Sequence, residues 1–353
     1  MEIYKPNYKL TFSILKMIEE ISKIQGELQG LARSVDHELL FYSEANIDAV
    51  HFSTKIEGNK LTIKQVTQVL GGKIKGIKRQ RDLKEILNYS KARKYLFEKV
   101  EKNSKLTLEL MLETHKILQE SIVTGKLKGH LRDAQNVIKD SKTHAIVYMP
   151  PEPNDVKKLL LALINWQNNA LKEGLSPLIV APIFHYRFVT IHPFMDGNGR
   201  VARLLTTFIL YSNEYTVSKY AAIEKQHELN RADYYLNLRR LQHHTFYDIS
   251  DNIHITTWLE YWLKHLKNTY QEALNRVKPV EFQTESRILS LDNRLQKAAK
   301  LFVRHKKISA HDYQTLMALG RTQAVSDLNK LIKQKIIRKI GGGRSTVYKT
   351  KEG

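Results

Sequence analysis

Hydrophobic positions recur every three to four residues along most of the chain, and this spacing predicts a mainly α-helical fold. Residues 177–191 are apolar nearly all round, which predicts a helix at the centre of the core. The other clear helical patterns cover residues 8–31, 34–52, 81–100, 106–121, 155–172, 228–243 and 256–276. The pattern therefore favours helices packed around one buried helix.

The ends of several helices are marked by residues that cap them. Residues 62–65 have the form of a capping box, in which two side chains satisfy the first free N–H groups of a helix. Asn154 and Thr322 are predicted to be N-caps, because each precedes a helical pattern. Pro193 cannot continue a helix, so the central helix is predicted to leave His192 at or just past its C-terminal end.

One stretch, residues 129–153, has a different pattern. Residues 136–139 and 144–148 are short runs typical of β-strands, and the polar residues between them favour a turn. The sequence therefore predicts a β-hairpin within an otherwise helical region.

The C-terminal fifth of the chain has an order of elements of its own. Helical patterns over residues 287–305, 311–318 and 322–331 precede two predicted strands, residues 335–340 and 345–349. A glycine-rich loop separates these strands. This order is that of a winged helix, so we predict a separate C-terminal domain over residues 279–353.

Composition limits the classes of function. The 353 residues include 57 Lys and Arg against 36 Asp and Glu, a formal net charge of +21, which favours phosphate-bearing partners. Residues 281–353 alone carry a net charge of +10. The chain has no cysteine, which excludes disulfides, thiolate zinc sites and cysteine nucleophiles. No signal peptide or membrane span is predicted, so we expect a soluble, cytoplasmic protein with no membrane contact.

Residues 192–203 concentrate groups that bind phosphates. Gly197 and Gly199 can adopt positive φ angles, which lets neighbouring backbone N–H groups converge on an anion. A predicted helix begins at the same place, and its positive end favours negative charge. Arg200 and Arg203 are three residues apart and project from one side of its first turn. This pattern indicates a phosphate site.

Two further side chains in this segment suit nucleotide chemistry. Asp196 is its one carboxylate and suits Mg²⁺, which a carboxylate and substrate phosphates commonly hold together. His192 can take a proton from an attacking hydroxyl group. The alternative interpretation is an ordinary turn followed by solvated arginines, since Asp-Gly and Asn-Gly pairs are common in hairpins. Flanks that are helical rather than strand-like favour the phosphate site.

The segment matches the motif His-Pro-Phe-x-Asp-Gly-Asn-Gly-Arg-x-x-Arg of the Fic family without departure. The resemblance extends over about residues 103–265 and includes the hairpin, which resembles the flap of the family. It implies a Fic-type helical core that transfers AMP from ATP to a Tyr, Thr or Ser hydroxyl of a target protein. It also implies that His192 deprotonates this hydroxyl and that Asp196 holds Mg²⁺. The residues implied to bind the triphosphate are Gly197, Asn198, Gly199, Arg200 and Arg203.

Three more residues, Asn230, Tyr234 and Tyr235, are weaker candidates for the adenosine pocket. The alternative for the two tyrosines is a packed aromatic pair on a helix. Other donors, such as CDP-choline or UTP, stay open, because the motif does not identify the base. The histidines at positions 185, 243 and 244 lack metal-ligand spacing, so we expect no transition-metal site.

Residues 53–59 resemble the inhibitory motif of the same family, Ser/Thr-x-x-x-Glu-Gly/Asn, with Ser53 and Glu57 at its defining positions. A glutamate at a helix end can pair with an arginine and take the place of an anion. The resemblance implies that Glu57 pairs with Arg203 and restrains the enzyme. Alternatives are a surface glutamate or one that orients water to remove AMP. The predicted regions are therefore an N-terminal helical region with the inhibitory helix (1–102), a Fic catalytic core (103–278) and the winged helix.

A different class of function is also consistent with the sequence. The basic C-terminal domain predicts DNA binding by residues 285–353, with the helix from Thr322 in the major groove and Arg344 on the wing. The alternative protein is thus a DNA-binding transcriptional regulator with a nucleotide-sensing core. A homodimer is a further expectation.

Overall fold

The computed structural model describes residues 4–31, 35–123, 127–140, 143–242, 244–248, 253–277, 291–304, 307–334, 336–342 and 346–350. It divides the chain into two compact units, Met1–Asn275 and Arg276–Gly353. The first unit contains both the predicted N-terminal region and the predicted core. Within the described ranges, no helix combines the length and the apolar composition that a membrane crossing requires.

The first unit is built from eleven described α-helices and one hairpin. The helices are α1 (Phe12–Leu31), α2 (Val35–Ile56), α3 (Ile63–Leu70), α4 (Gln80–Glu101), α5 (Leu108–Leu118), α6 (Pro153–Lys172), α7 (Pro177–Ile191), α8 (Asn198–Ser212), α9 (Ile223–Leu229), α10 (Arg231–Gln242) and α11 (Thr256–Val277). The capping box predicted at Thr62 is present at the start of α3. The predicted mainly helical fold is confirmed.

Helix α7 lies at the centre of this unit. Its side chains are buried along almost the whole helix, and it packs against α6 and α8. Ser176 caps its N-terminus, and Pro177 occupies the first turn, where a missing N–H costs nothing. His192 is its C-cap, as the sequence predicts. The core helix therefore carries this histidine to the point where α8 begins.

The predicted hairpin is present. Strands β1 (Ile138–Lys139) and β2 (Ile146–Tyr148) pair antiparallel. Tyr148 is buried, and its hydroxyl donates to the backbone oxygen of Thr190 at 2.8 Å. The side chain of Asn136 donates to the backbone oxygen of Phe194 at 3.1 Å. These two contacts fix the hairpin next to the C-terminal end of α7.

Three local predictions were wrong. Helix α6 begins one residue before Asn154, because Pro153 fits the first helical turn and Glu152 is the N-cap. The helix predicted over residues 228–243 begins only at Arg231, as α10, and the short helix α9 before it was not predicted. Asn230 lies between the two and donates to the backbone oxygen of Gln226 at 2.9 Å. Gly320 rather than Thr322 precedes the helix that begins at Arg321.

The second unit combines three described helices with a small sheet. Its elements are α12 (Asn293–Arg304), β3 (Ile308–Ser309), α13 (Ala310–Met317), α14 (Arg321–Lys333), β4 (Ile337–Ile340) and β5 (Val347–Thr350). The antiparallel sheet has the order β3-β5-β4. A core that includes Phe302, Tyr313 and Leu328 joins the helices to the sheet. Buried Asp327 pairs with Arg294 at 3.0 Å.

Candidate functional site

The loop between α7 and α8 carries His192 in a fixed orientation. His192 has left-handed backbone angles, with φ 50° and ψ 59°, which turn the chain out of α7. Its Nδ1 lies 3.2 Å from the backbone oxygen of Val189 and must donate to it, because that oxygen can only accept. The lone pair of Nε2 is therefore left free. Burial lowers the pKa of His192 to about 4, so the ring is a neutral proton acceptor at pH 7.

Arg132 supports this loop from the segment that leads to the hairpin. Its side chain is buried, and its Nε donates to the backbone oxygen of His192 at 3.0 Å. Its backbone N–H donates to the backbone oxygen of Pro193 at 2.9 Å, and its Nη2 bonds the backbone oxygen of Pro151. Arg132 thus satisfies carbonyl groups at the end of α7 that have no partner within the helix.

Asn198 closes the loop with its side chain. Its Oδ1 accepts from the backbone N–H of Phe194 at 2.9 Å, and its Nδ2 donates to the backbone oxygen of Phe194 at 2.7 Å. Phe194 is completely buried. The side chain of Asn198 therefore shapes the loop of residues 192–197, called the phosphate loop here after its predicted role. Only the backbone of Asn198 is left to contact a nucleotide.

His115, on α5, holds the next part of the loop. Its Nδ1 accepts from the backbone N–H of Gly129 at 3.0 Å, so its Nε2 carries the proton and donates to the backbone oxygen of Asp196 at 3.1 Å. Its ring stacks on Phe194 with the centroids 3.7 Å apart. His115 therefore fixes the residue that the sequence identifies as the metal ligand.

Gly197 and Gly199 are each required by a close approach. Gly197 has φ 86°, and a Cβ there would overlap the side-chain amide of Gln119, which is buried and has no hydrogen-bond partner in the part of the chain that the structure describes. A Cβ on Gly199 would overlap the carboxylate of Glu57. The first turn of α8 has no side-chain cap, so its N–H groups and positive dipole end are available to an anion beside it. Glu57 therefore occupies an anion position at the start of α8.

The same carboxylate contacts Arg203. Arg203 is buried, and its Nη2 lies 2.7 Å from Glu57 Oε1. Its Nε donates to Ser53 Oγ at 2.8 Å and its Nη2 to the backbone oxygen of Ser53 at 3.0 Å. Tyr234, Tyr235 and Glu224 lie close enough to interact electrostatically with Arg203 or Glu57. Ser53 and Glu57, the two predicted inhibitory residues, thus both contact Arg203, the arginine predicted to bind phosphate.

Arg200 has side-chain donors that make no hydrogen bond to any described residue. It is buried, and its Nη2 contacts Asp196 Oδ1 at 3.2 Å. Within the described part of the chain, its Nε and Nη1 have no hydrogen-bond partner, although Glu85 lies 3.6 Å from Nη1. Buried donors without acceptors are costly, so an anion that accepts from them would be favoured. Asp196 is half-exposed and its Oδ2 also contacts Arg81 at 3.4 Å.

The three candidates for the adenosine pocket differ in their surroundings, although the rings of Tyr234 and Tyr235 contact each other with their centroids 5.3 Å apart. Tyr234 is buried in the core, where its hydroxyl bonds His185 Nε2 at 2.9 Å, which favours the packing alternative. Asn230 lines a cavity of about 520 Å³ together with Tyr261. Burial and then the nearby Glu57 carboxylate raise the pKa of Tyr235. Both tyrosines therefore lie within electrostatic range of the Glu57–Arg203 pair.

Sequence reasoning missed the residues that support the loop from other elements. His115, Arg132 and Glu85 contact the motif segment from positions 60 or more residues earlier in the chain. No spacing within the motif points to them. The one local signal is that they are polar residues on the buried faces of helical or loop segments, where polar groups need partners.

Stability should fall as the pH drops from 7 to 5. Burial lowers the pKa of His115, His192 and His265 to about 4 and that of His185 to about 3, and it holds the pKa of His227 well below its usual value. The unfolded chain binds protons at these residues near pH 6.5, whereas the folded chain does not until about pH 4. Protons therefore favour unfolding across this range. The melting temperature by circular dichroism should fall steadily, and less so in a His185→Gln variant; a pH-independent value would contradict this.

Comparisons with known proteins agree with the geometry. Residues 105–210 match the model of the Fic/DOC family. The curated protein adenylyltransferase Fic of Drosophila grimshawi is 30% identical over 216 residues, which cover 59% of this chain and 43% of that protein. That of Culex quinquefasciatus is 31% identical over 194 residues, covering 54% and 36% respectively. The chain thus spans less than half the length of these curated relatives.

Solved structures resemble more of the chain. A Fic family protein from Desulfovibrio desulfuricans G20 is 25% identical, with a TM-score of 0.66, and the match covers 98% of both chains. Fic-1 from C. elegans is 22% identical with a TM-score of 0.57 over 75% of this chain and 73% of that one. The second likeness concerns the fold alone.

Proposed function

We propose that this protein, whose residues 105–210 form a Fic domain, is a protein adenylyltransferase restrained by Glu57. The observation that carries the proposal is the anion position at the start of α8. There a carboxylate contacts buried Arg203 and lies over Gly199, while two buried donors of Arg200 make no hydrogen bond to any described residue. The curated relatives named protein adenylyltransferase Fic support the same chemistry.

The chemistry proposed for this site is the transfer of AMP. The oxygen of a target hydroxyl forms a bond to the α-phosphorus of ATP, the bond from that phosphorus to the bridging oxygen breaks, and pyrophosphate leaves. The proton of the hydroxyl goes to Nε2 of His192, whose Nδ1 is held by Val189. Burial keeps His192 neutral and therefore able to accept this proton. Arg203 and Arg200 would stabilise the negative charge of the phosphates.

Magnesium fits this site as part of the substrate, bound to ATP. The described residues contain no group of three or more His, Cys, Asp or Glu side chains that could hold a metal by themselves. One carboxylate is sufficient when phosphates supply other ligands, and Asp196 is half-exposed beside Arg200, whose Nε and Nη1 have no hydrogen-bond acceptor among the described residues. Asp196 would hold the ion against the phosphates, where it neutralises charge. Its present contacts with Arg81 and Arg200 show that this carboxylate already attracts cations.

The hairpin is the proposed binding surface for the target protein. Its strands are short, so an extended segment with a Tyr, Thr or Ser residue can add alongside them through backbone hydrogen bonds. Exposed Ile146 on β2 and exposed Met195 in the loop offer apolar contacts. Asn136 and Tyr148 fix the hairpin to the elements that carry His192, so a bound segment would be held in relation to the base.

The experiment that tests this function compares two positions of the radioactive label in ATP. We expect the Glu57→Gly variant, added to a cell extract, to increase protein labelling above that of the extract alone when ATP carries ³²P at the α-position, and not when the label is at the γ-position. Excess unlabelled UTP or CDP-choline should compete less well than ATP. Labelling from the γ-position would instead indicate phosphate transfer, and no labelling would contradict the proposal. The same extract without the variant is the control.

The second unit is proposed to be a winged helix. The order of its helices and the β3-β5-β4 sheet support this fold. Arg344, the residue expected to contact DNA from the wing, lies outside the described residues. DNA binding by residues 285–353, the homodimer, the cytoplasmic location and removal of AMP stay predictions, and the comparisons lend no support to the transcriptional regulator as the alternative function.

A further inference from the structure

The residues that follow Glu57 are tied to the beginning of α4. Asn59 is buried, and its Nδ2 lies 3.0 Å from both Glu85 Oε2 and the backbone oxygen of Asp82. Its backbone N–H donates to the backbone oxygen of Thr54 at 3.1 Å. One side chain therefore joins the C-terminal end of α2 to the first two turns of α4.

Glu85 connects this contact to the phosphate loop. It is buried, and its Oε1 lies 3.3 Å from Arg81 Nε and 3.6 Å from Arg200 Nη1. Both arginines also contact Asp196, at 3.4 and 3.2 Å. Two carboxylates and two guanidinium groups thus alternate in a closed ring. Glu85 is the member of this ring that also accepts a hydrogen bond from the inhibitory segment.

The position of Glu57 needs such an anchor. Glu57 follows the last residue of α2, where helices fray and where the negative end of the helix dipole disfavours a carboxylate. Three backbone hydrogen bonds close this end, from Glu57 and Asn59 to Thr54 and from Gly58 to Lys55. The contact with Arg203 requires the carboxylate at 2.7 Å, so small movements of the helix end would break it.

We propose that Asn59 and Glu85 are positioning residues that hold Glu57 against Arg203. The strength of inhibition by the Glu57–Arg203 pair is then set by the hydrogen bond between Asn59 and Glu85. This inference rests on the proposed function only in that Glu57 inhibits transfer. A charge-assisted hydrogen bond in a buried setting is strong enough to control the equilibrium between the restrained and released forms.

The test combines substitutions at residues 57 and 59. Asn59→Ala should raise AMP transfer by about tenfold, the effect of one hydrogen bond to a charged group, and should add nothing in a Glu57→Gly background. The matched control is Asn46→Ala, because Asn46 also joins α2 to α4, through Ser90 at 3.2 Å. Transfer by this control should equal that of the wild type. Unchanged transfer by Asn59→Ala, or an equal rise in both backgrounds, would overturn the proposal.

A second readout does not depend on activity. Hydrogen–deuterium exchange of peptides that cover residues 53–61 should be faster in Asn59→Ala than in the wild type and unchanged in Asn46→Ala. Equal exchange in all three proteins would overturn the inference even if transfer is observed. If exchange increases while Glu57→Gly shows no transfer, the positioning role stands and the proposed function fails.

Discussion

Replacing His192 with alanine in the Glu57→Gly background should lower the rate of AMP transfer by about a hundredfold to ten-thousandfold. The loss is expected because the target hydroxyl would then have no proton acceptor next to the α-phosphorus, whereas the phosphate-binding groups of α8 would be unchanged. The measurement is the initial rate of label transfer from α-labelled ATP at saturating nucleotide.

The affinity for ATP distinguishes the loss of the proton acceptor from a general disruption of the site. The dissociation constant for ATP should stay within about twofold of that of Glu57→Gly, because the proposed partner of His192 Nε2 is the target hydroxyl and not the triphosphate. The matched control is His244→Ala, since His244 is exposed. Transfer that survives His192→Ala would remove this residue from the role of base, and loss of ATP binding would give it a different one.

Replacing Glu57 with glycine should raise the rate of AMP transfer by about a hundredfold. The carboxylate occupies the anion position beside Gly199 and pairs with buried Arg203, and a buried ion pair is worth several kcal/mol to the arginine that it satisfies. Removing it leaves Arg203 without the carboxylate that its Nη2 contacts, so this arginine should bind the phosphates of ATP. The rise should therefore appear in kcat more than in KM, because the productive pose is restored.

The control for this variant tests whether destabilising helix α2, rather than removing the carboxylate of Glu57, causes the rise. A glycine also weakens a helix, by about 1 kcal/mol in its interior, so Glu44→Gly on the exposed face of α2 is the comparison. This variant should transfer AMP at the wild-type rate. An equal rise in both variants would mean that loosening α2 matters and that the carboxylate of Glu57 does not.

The part of the site that could be predicted is the part that is local in sequence. The phosphate loop, the orientation of His192 at a helix end and the start of α8 all follow from one continuous run of residues. The capping box at Thr62 is equally local. These features depend on backbone angles and on neighbouring side chains, which the sequence states directly.

The supporting contacts could not be predicted, because their partners are far apart in the chain. His115 and Asp196 are 81 positions apart, and Arg81 and Asp196 are 115 apart. Which polar residues meet depends on how the helices pack, and no spacing encodes this. The break between α9 and α10 was missed for a related reason. The helical pattern continues through Asn230, although the chain turns there.

The close approach at Gly199 has a consequence for genetic selection. The restraining carboxylate and the phosphates of the donor are expected to share one space, which a single methyl group would fill. A side chain at position 199 that displaces the carboxylate would therefore also exclude the phosphates. Selections for constitutively active alleles should yield changes in the N-terminal half of the first unit and none at this glycine. Inhibition can therefore be lost without loss of nucleotide binding only through changes in the segment that carries Glu57.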